Sequence, residues 1–322
     1  MTDPGGVRWA LVGTNGYARR TCAPAFAEVS RARLVGVASA DKSRARAFAD
    51  ELGVPIAAAS LAELCAREEV DAVWIASPSY LHYDHGAVAL TAGKHVLLEK
   101  PLALSSQEAW KLVSLASEQG VTLATGYQAR YVPAHIRMKE LLEDGAIGIP
   151  VLARTLYGMH RPGPPRTWRQ HRETARWGTL ADIGTHHLDL VRMLLGEVAT
   201  ATGYTAYRTA RETEDTATAV LRFTSGVIGS LTATSVTANP STVVEVHGTE
   251  GAIVATGTSP DGQGKATLLR PGTDPRDITG PTPLSAVAQL ETVTGVIAGD
   301  PAAYATGADG ARNVEILEQI TS

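Results

Sequence analysis

Asp182 and His186 stand four residues apart and form the pair best suited to moving a proton. If a helix begins near Asp182, both side chains fall on one face. His186 can then take or give the proton of a reacting hydroxyl, because imidazole titrates near neutral pH. Asp182 can bond the substrate or stabilise the imidazolium. Taken alone, Asp182 is more typical of a helix N-cap and His186 of a buried core histidine. We interpret His187 and Asp189 as neighbours without chemistry.

A glycine-containing turn, GTNGYA, follows the apolar run at residues 7–12 and precedes a helical pattern. Such a turn presents backbone N–H groups at a helix N-terminus, where a pyrophosphate is favoured. In the pattern G-x-G-x-x-G/A, Gly13 takes the first place, Ala18 takes the last, and Asn15 replaces the middle glycine. Asparagine tolerates a positive φ, so we expect the turn to survive. The alternative is a turn with a purely structural role.

The residue that ends the second apolar run is Ser39, with Lys42 and Arg44 just beyond it. An acid at this place would bind the ribose 2′-hydroxyl of NAD. A serine followed by cations suits a 2′-phosphate, so NADP is the preferred cofactor and NAD the second choice. Asp41 weakens the charge balance, and the two cations are also typical of a solvated helix start.

Elements in the first part of the chain alternate between short apolar runs and helical patterns. The predicted strands lie at residues 7–12, 34–39, 72–76, 95–98 and 121–125. Helical patterns lie between them, and several end at a glycine. This alternation favours an α/β fold with a parallel sheet, namely a Rossmann domain over residues 1–126.

The pattern then changes to an α+β type. Predicted strands lie at residues 151–157, 200–207, 216–223, 227–234, 242–247, 252–256 and 266–269. A helix at 185–195 interrupts them, a loop spans 271–283, and two helices at 286–298 and 308–320 finish the chain. We expect a second domain over residues 127–322, with a mostly antiparallel open sheet for substrate binding and assembly.

Composition limits the classes of partner. The net charge of −4 provides no basic field, which argues against nucleic acid. The two cysteines, Cys22 and Cys65, have no ligand spacing, so neither a disulfide framework nor a metal site is expected, and a cytoplasmic location fits. The apolar runs are of strand length, so no membrane partner is expected either.

Two further segments make the pattern specific. The first is GKHVLLEKP, which ends in Glu99, Lys100 and Pro101, and the second is DIGTH at Asp182 to His186. With GYQARYVP at residues 126–133, they identify a resemblance to the glucose-fructose oxidoreductase, inositol dehydrogenase and rhizopine-catabolism (Gfo/Idh/MocA) family. The resemblance covers nearly the whole chain.

The resemblance implies that Lys100 lies at the carboxyl end of a strand beside the nicotinamide, where its cation can hydrogen-bond the reacting oxygen. It makes the Lys100–Pro101 bond a candidate for the cis form, and it makes Ser77 and Pro78 candidates for cofactor contact. His82 is equally typical of a structural and a functional residue. The predicted cofactor-binding residues are Gly13, Thr14, Asn15, Gly16, Tyr17, Ala18, Ser39, Lys42, Arg44, Ser77, Pro78, His82, Glu99 and Lys100.

The predicted substrate-binding residues are Lys100, Arg130, Tyr157, Trp168, Asp182 and His186. The Arg- and Pro-rich segment 161–177 is interpreted as a loop over the site. Its positive charges suit an anionic group such as a sugar-nucleotide phosphate, or a solvated loop. Relatives often have a glycine run before the D-x-x-x-H motif, whereas this chain has Arg176, Trp177 and Gly178. We expect the two larger side chains to narrow the space for substrate.

The function implied is an NAD(P)-dependent oxidoreductase. It would transfer a hydride between nicotinamide and a carbinol or ketone carbon of a sugar, a cyclitol or a nucleotide-linked keto sugar. The family also implies a homodimer or homotetramer. The alternatives are a cofactor-binding regulator without catalysis, a glycosidase that uses NAD through transient oxidation, and an imine or tetrapyrrole reductase.

Overall fold

The structure, a computed structural model, describes residues 6–161, 168–209, 211–258, 264–280 and 284–322. These residues divide into two compact units. The first contains the chain through Gly126 together with Ala286–Val314, and the second contains Tyr127–Ser285 together with Glu315–Ser322.

The first unit is built on a six-stranded parallel sheet. Its strands are β1 (Val7–Val12), β2 (Ala32–Ala38), β3 (Ile56–Ala58), β4 (Ala72–Ile75), β5 (His95–Leu98) and β6 (Leu123–Thr125), in the order β3-β2-β1-β4-β5-β6. Its first helices are α1 (Ala23–Glu28), α2 (Lys42–Leu52), α3 (Leu61–Cys65), α4 (His82–Thr91) and α5 (Ser106–Gln119). The predicted parallel α/β architecture is confirmed.

The strand order reverses between β1 and β4, which lie side by side at the centre of the sheet. In open parallel sheets, ligands bind at such a switch point, beyond the carboxyl ends of the strands. Gly13 follows the carboxyl end of β1, Ser77 comes shortly after β4, and Lys100 comes shortly after β5. The topology therefore brings the predicted cofactor residues to one edge of one sheet.

The second unit carries an eight-stranded sheet that is antiparallel except where β10 runs parallel to β7. Its elements are α6 (Pro133–Glu143), β7 (Pro150–His160), α7 (Arg172–Ala175), α8 (Thr185–Leu195), β8 (Val198–Ala206), β9 (Thr216–Phe223), β10 (Ile228–Thr234), β11 (Val236–Gly248), β12 (Ala252–Thr256), β13 (Lys265–Leu269) and β14 (Arg276–Asp277). The mostly antiparallel sheet is confirmed. The short strand β14 lies in the segment predicted to be a loop, and residues 281–283 of that segment lie outside the described residues.

One face of this sheet is covered by α6 and α8. Met138 of α6 and Leu190 of α8 belong to one buried cluster with Val244 and Val246 of β11. In β9 the buried and exposed positions alternate, as expected for a sheet with one covered face. The packing fixes α8, the helix that carries His186, against the sheet.

The last two helices, α9 (Ser285–Ile297) and α10 (Gly307–Thr321), correct the expected division of the chain. Residues 286–314 were assigned to the second domain, but they belong to the first unit. The physical reason is the apolar side of α9, because Leu290 and Val293 are buried in the same core cluster as Trp9. The Trp9 indole N–H also donates to the Thr294 hydroxyl at 3.1 Å. The sheet of the first unit thus takes a core helix from the far end of the chain.

Among the residues that the structure describes, no helix combines the length and the apolar character needed to cross a bilayer. In the same residues, no three His, Cys, Asp or Glu side chains are grouped to hold a metal ion.

Candidate active site

The turn after β1 has a backbone conformation that lets it lie close to the loop after β4. Gly13 has a φ of +110°, and a Cβ at this position would lie 3.0 Å from the carbonyl oxygen of Ala76. A side chain here would therefore strain the backbone and crowd the loop that follows β4. The role of Gly13 as the first glycine of a dinucleotide turn stays a prediction, with which this backbone conformation is compatible.

Asn15 stabilises this turn in a way that the sequence did not predict. Asn15 does not use the positive φ that asparagine tolerates, because in the described residues Arg176 is the only non-glycine residue with a positive φ. Instead, the Asn15 side-chain oxygen accepts the N–H groups of Tyr17 and Ala18 at 2.9 and 3.0 Å, and its amide donates to Ala76 O at 2.6 Å. Two N–H groups of the turn are thereby occupied by Asn15.

Charges after β2 are paired with one another. The Asp41 carboxylate accepts N–H bonds from Ser43 and Arg44 at the start of α2, and its Oδ2 also receives the Arg44 Nε at 3.0 Å. The Ser43 hydroxyl and these N–H groups lower the pKa of Asp41 to about 2. The Ser39 hydroxyl lies 3.5 Å from that of Thr14, and Lys42 is exposed. Asp41 therefore caps α2, and Arg44 has a carboxylate partner that the sequence argument had counted only as an opposing charge.

Glu99, which precedes Lys100, joins the glycine turn to β5. Its carboxylate is buried and accepts the Tyr17 hydroxyl at 3.0 Å and the Trp74 indole N–H at 3.2 Å. Burial raises the pKa of Glu99. A Cβ on Gly126 would come within 2.7 Å of the Glu99 carboxylate, so a larger residue at position 126 would clash with this side chain. The contacts of Glu99 are thus within the protein, where they fix the segment that bears Lys100.

The Lys100–Pro101 peptide bond is cis, as the sequence predicted. His82 joins this segment to the loop after β4, since its Nδ1 lies 2.7 Å from Pro101 O and its Nε2 lies 2.9 Å from Ser77 O. Burial lowers the pKa of His82 to about 4, so the ring is neutral at neutral pH and donates its single N–H to one carbonyl at a time. The neighbouring His85 contacts the Ser77 hydroxyl at 3.0 Å. The geometry gives His82 a loop-joining role.

In the second unit, Asp182 and His186 lie on one continuous helical segment, a π turn at Leu180–Gly184 followed directly by α8. His186 is buried, with the ring of Tyr127 packed edge-on against it at a centroid distance of 6.1 Å. The Tyr127 hydroxyl shares a hydrogen bond of 2.9 Å with Thr185. Sequence reasoning did not assign Tyr127 a role, although it lies in the GYQAR motif.

Asp182 is paired with two cations. Arg161, which directly follows β7, binds one carboxylate oxygen, and the Arg169 Nε lies 3.6 Å from the other. The Arg169 guanidinium also stacks on the ring of Trp168 at 4.4 Å. Residues 162–167 of the predicted loop over the site lie outside the described residues. The positive charges beside Trp168 are thus balanced in part by Asp182 itself.

Arg130 and Asp189 form a buried ion pair, which the sequence did not predict. Arg130 Nε and Nη2 donate to the two carboxylate oxygens of Asp189 at 2.6 and 2.7 Å, and the Asp189 side chain is 0% exposed. Asp189 was interpreted as a neighbour without a role and is instead the partner of Arg130. The guanidinium predicted to line the substrate pocket is therefore engaged inside the second unit.

Two other predicted pocket features are also packed inside this unit. Tyr157 stacks on His187 at 4.9 Å, and burial lowers the pKa of His187 to about 3. Trp177 is buried, and its indole N–H donates to the Thr321 hydroxyl at 3.1 Å. Its neighbour Arg176 binds Glu318 at 2.7 Å. These contacts direct the side chains of Arg176 and Trp177 towards the end of α10, and they give no support to the expectation that residues 176–178 narrow the substrate site.

His135 of α6 provides a test of pH-dependent stability. Its Nδ1–H donates to Ala129 O at 2.7 Å, and the Thr258 hydroxyl donates to its Nε2 at 2.9 Å, which fixes the neutral tautomer. Burial lowers the pKa of His135 to about 4. The unfolded chain, with an imidazole pKa of about 6.5, binds the proton first, so this histidine's contribution to stability is lost as the pH falls from 6.5 towards 4.

We expect His135→Asn to have a lower free energy of unfolding than wild type at pH 7. This difference should shrink by about 2 kcal/mol at pH 5, because the wild type loses stability as His135 titrates and asparagine does not titrate. Denaturant unfolding at both pH values measures the two differences. A difference of constant size would show that His135 gains its proton equally in the folded and unfolded states.

Comparison with known proteins gives consistent matches. The model of an oxidoreductase family with an NAD-binding Rossmann fold, GFO/IDH/MocA, matches residues 7–127, and that of the GFO/IDH/MocA C-terminal domain matches residues 135–254. A 1,5-anhydro-D-fructose reductase of Ensifer adhaerens is 34% identical over 250 residues, which are 77% of this chain and 75% of the reductase.

Solved structures agree over nearly the full length. The aldose-aldose oxidoreductase from Caulobacter crescentus, complexed with glycerol, is 28% identical with a TM-score of 0.87, covering 97% of this chain and 96% of that one. A levoglucosan dehydrogenase in complex with NADH and levoglucosan has the same fold, with a TM-score of 0.89 at 22% identity over 98% of this chain and 96% of that one.

Proposed function

This chain belongs to the GFO/IDH/MocA family of oxidoreductases with an NAD-binding Rossmann fold, and from that membership we propose that it transfers a hydride between a nicotinamide nucleotide and a carbinol or ketone carbon of a sugar or cyclitol. The observation that carries the proposal is the place of Lys100. It follows β5 at the edge of the sheet where Gly13 and Ser77 also lie, beyond the switch point of the strands.

The residues of this edge fit a nicotinamide dinucleotide. Gly13 leaves open the space that a Cβ would fill beside Ala76. Because Asn15 occupies the N–H groups of Tyr17 and Ala18, the pyrophosphate would be held by the earlier part of the turn, at Thr14 to Gly16. When bound, the nicotinamide supplies or accepts the hydride.

In the proposed mechanism the protein moves the proton and holds the oxygen. The Lys100 ammonium donates a hydrogen bond to the reacting oxygen of the substrate and stabilises the charge that develops there. His186 takes the hydroxyl proton in the oxidation direction and returns it in the reduction direction. Asp182, held by Arg161 and Arg169, hydrogen-bonds the substrate and favours the imidazolium of His186.

The substrate class is supported by the relatives. The similar proteins named above act, by their names, on an anhydro-fructose and on aldoses. We propose a sugar, a cyclitol or a nucleotide-linked keto sugar for this chain. Reduction or oxidation of a panel of these compounds, followed by the nicotinamide absorbance, tests the class.

NADP is the proposed cofactor. Ser39 directly follows β2, at the position where an acid would bind the ribose of NAD. The acid nearest in sequence, Asp41, accepts N–H groups at the start of α2. Lys42 is exposed beside it and can meet a 2′-phosphate. Arg44 can do so as well if the phosphate shares it with Asp41.

We expect Ser39→Asp to weaken NADPH binding about tenfold or more and to leave NADH binding intact, since each pair of like charges about 4 Å apart costs about 1 kcal/mol even in water. Fluorescence titration with both nucleotides measures the two dissociation constants. Ser39→Asn is the matched control, because asparagine has nearly the same shape as aspartate but carries no charge.

Two results would contradict the cofactor proposal. One is a wild-type protein that binds NADH tightly and does not bind NADPH. The other is equal weakening of NADPH binding by the Asp and Asn variants, which would assign the effect to size.

We extend the proposal to assembly. The uncovered face of the second unit's sheet carries exposed apolar side chains on neighbouring strands, namely Leu152, Tyr204, Val220 and Ile228. Polar residues such as Arg222 and Thr218 lie between these side chains, and exposed apolar side chains with polar neighbours are typical of a surface that a partner covers. A homodimer or homotetramer formed through this face would cover it.

A further inference from the structure

Glu214, in the segment that leads into β9, binds the start of the helical segment that bears Asp182 and His186. Its two carboxylate oxygens accept the N–H groups of Gly178 at 2.7 Å and Leu180 at 2.9 Å. Its backbone oxygen accepts the N–H of Thr179 at 2.9 Å. Three consecutive N–H groups at this helix start are therefore satisfied by one residue, which lies 34 to 36 positions further along the chain.

This contact replaces a local cap. The first N–H groups of a helix have no partner within the helix and need one from elsewhere. Thr179 precedes the π turn but makes no side-chain capping bond, and in the described residues its buried hydroxyl has no hydrogen-bond partner. A carboxylate at a helix N-terminus also interacts favourably with the helix dipole. The helix start thus depends on Glu214 for both hydrogen bonds and charge.

The approach of the two segments is close enough to require a glycine. A Cβ on Gly178 would lie 2.0 Å from the backbone oxygen of Glu214. Just before it, Arg176 has a φ of 59°, in the left-handed region that residues with a Cβ seldom adopt. The chain therefore enters the helix along a constrained path that fits against Glu214.

Glu214 is only 3% exposed, and its own surroundings are defined. Burial raises the pKa of its carboxyl group, and the N–H groups of Gly178 and Leu180 oppose that rise. The like charge of Asp215 also raises the pKa of Glu214, and Asp215 itself accepts the N–H groups of Arg208 and Thr209. The side-chain hydrogen bonds of Glu214 therefore join it to Gly178 and Leu180 at the helix start.

We propose that Glu214 is a positioning residue for the reaction, which holds the π turn and the first turn of α8 so that Asp182 and His186 keep their places relative to one another. This inference rests on the proposed function of those two residues. Glu214 would touch neither substrate nor cofactor and would act only through the backbone of Gly178 to Leu180.

Glu214→Gln tests the inference, because the amide replaces one acceptor with a donor that faces an N–H group. We expect kcat to fall about 10- to 100-fold, as for a small displacement of catalytic groups, with the NADPH dissociation constant unchanged. We expect hydrogen exchange of the amides around residues 178–186, followed by mass spectrometry, to become about tenfold faster. Glu214→Asp keeps the charge but shortens the reach, and should show the same direction of change.

Glu212→Gln is the matched control. Glu212 is exposed and accepts the N–H of Arg172 at the start of α7, which carries none of the proposed catalytic residues. Its kcat and the exchange around residues 178–186 should equal those of wild type.

The outcomes separate this inference from the proposed function. An active wild type with Gln and Asp variants of undiminished kcat would overturn the role of Glu214 and leave the proposed function standing. A lower melting temperature with wild-type kcat would assign Glu214 a role in stability alone and would also overturn it. If no sugar or cyclitol is turned over, the proposed function fails, and unchanged hydrogen exchange in the variants would show independently that Glu214 does not hold the helix start.

Discussion

Replacing His186 by asparagine is expected to lower kcat by about 10²- to 10⁴-fold, the range over which a positioned general acid or base contributes. Asparagine retains a hydrogen-bonding side chain in the buried site but cannot exchange a proton near neutral pH. The NADPH dissociation constant should stay at its wild-type value, because the proposed cofactor residues lie in the other unit. Steady-state kinetics and fluorescence titration measure the two quantities.

A companion variant, Lys100→Met, removes the cation and keeps an unbranched side chain that is one heavy atom shorter. It should lower kcat to a similar extent by removing charge stabilisation at the reacting oxygen. The neighbouring His187 provides the control. Its ring is buried against Tyr157, so His187→Asn should lower stability and leave the kcat of the folded protein close to wild type.

Full activity of a protein in which both Lys100 and His186 are replaced by alanine would exclude the mechanism. Tight NADPH binding by the wild type, with no turnover of any compound in the panel, would instead favour the cofactor-binding regulator. A glycosidase on this fold would retain its nucleotide and show no net change in nicotinamide absorbance.

The largest expected loss of stability follows from Asp189→Asn. The change removes the negative charge from a pair whose carboxylate is fully buried and whose guanidinium is 13% exposed, and breaking a buried pair by removing one charge costs about 3–5 kcal/mol. The geometry supports the upper part of this range, since the pair is bidentate and Asp189 is fully buried on α8. Denaturant unfolding of wild type and variant measures the difference.

An exposed pair on the sheet is the control for that experiment. Arg154 also binds Glu245 in a bidentate manner, but its side chain is 63% exposed. Arg154→Gln should therefore cost less than about 1 kcal/mol. Equal losses in the two variants would contradict the argument from burial. The double variant Arg130→Met with Asp189→Leu should recover much of the lost stability, because it removes both buried charges.

Much of the fold was predictable from the sequence because its signals are local. Buried strands such as β1 and β4 are short apolar runs, and helices such as α2 and α5 end at a glycine, so the alternation of the first unit was correct. The family resemblance implied that Lys100 lies at the carboxyl end of a strand, and Lys100 comes shortly after β5. The motifs also indicated the family, which the comparisons confirm.

The rest depended on contacts that are distant in sequence. Nothing near Arg130 or Asp189 marks them as partners 59 residues apart. In the sequence Glu214 is one acid in a polar stretch, and only the folded structure shows that its carboxylate accepts the N–H groups of Gly178 and Leu180. Asn15 was judged by its backbone tolerance, whereas its amide side chain supplies the bonds that shape the turn.

The return of α9 to the core of the first unit bears on the order of events during synthesis. Trp9 leaves the ribosome well before Thr294, whose hydroxyl its indole N–H bonds, because the two residues are 285 positions apart. At about 5–20 residues per second, the ribosome needs roughly 10 to 30 s to pass from Gly126 to the end of α9. During that interval the nascent sheet lacks the helix that covers Trp9, and its apolar surface is open to chaperones or to aggregation. A fragment that ends at Gly126 would keep that surface permanently.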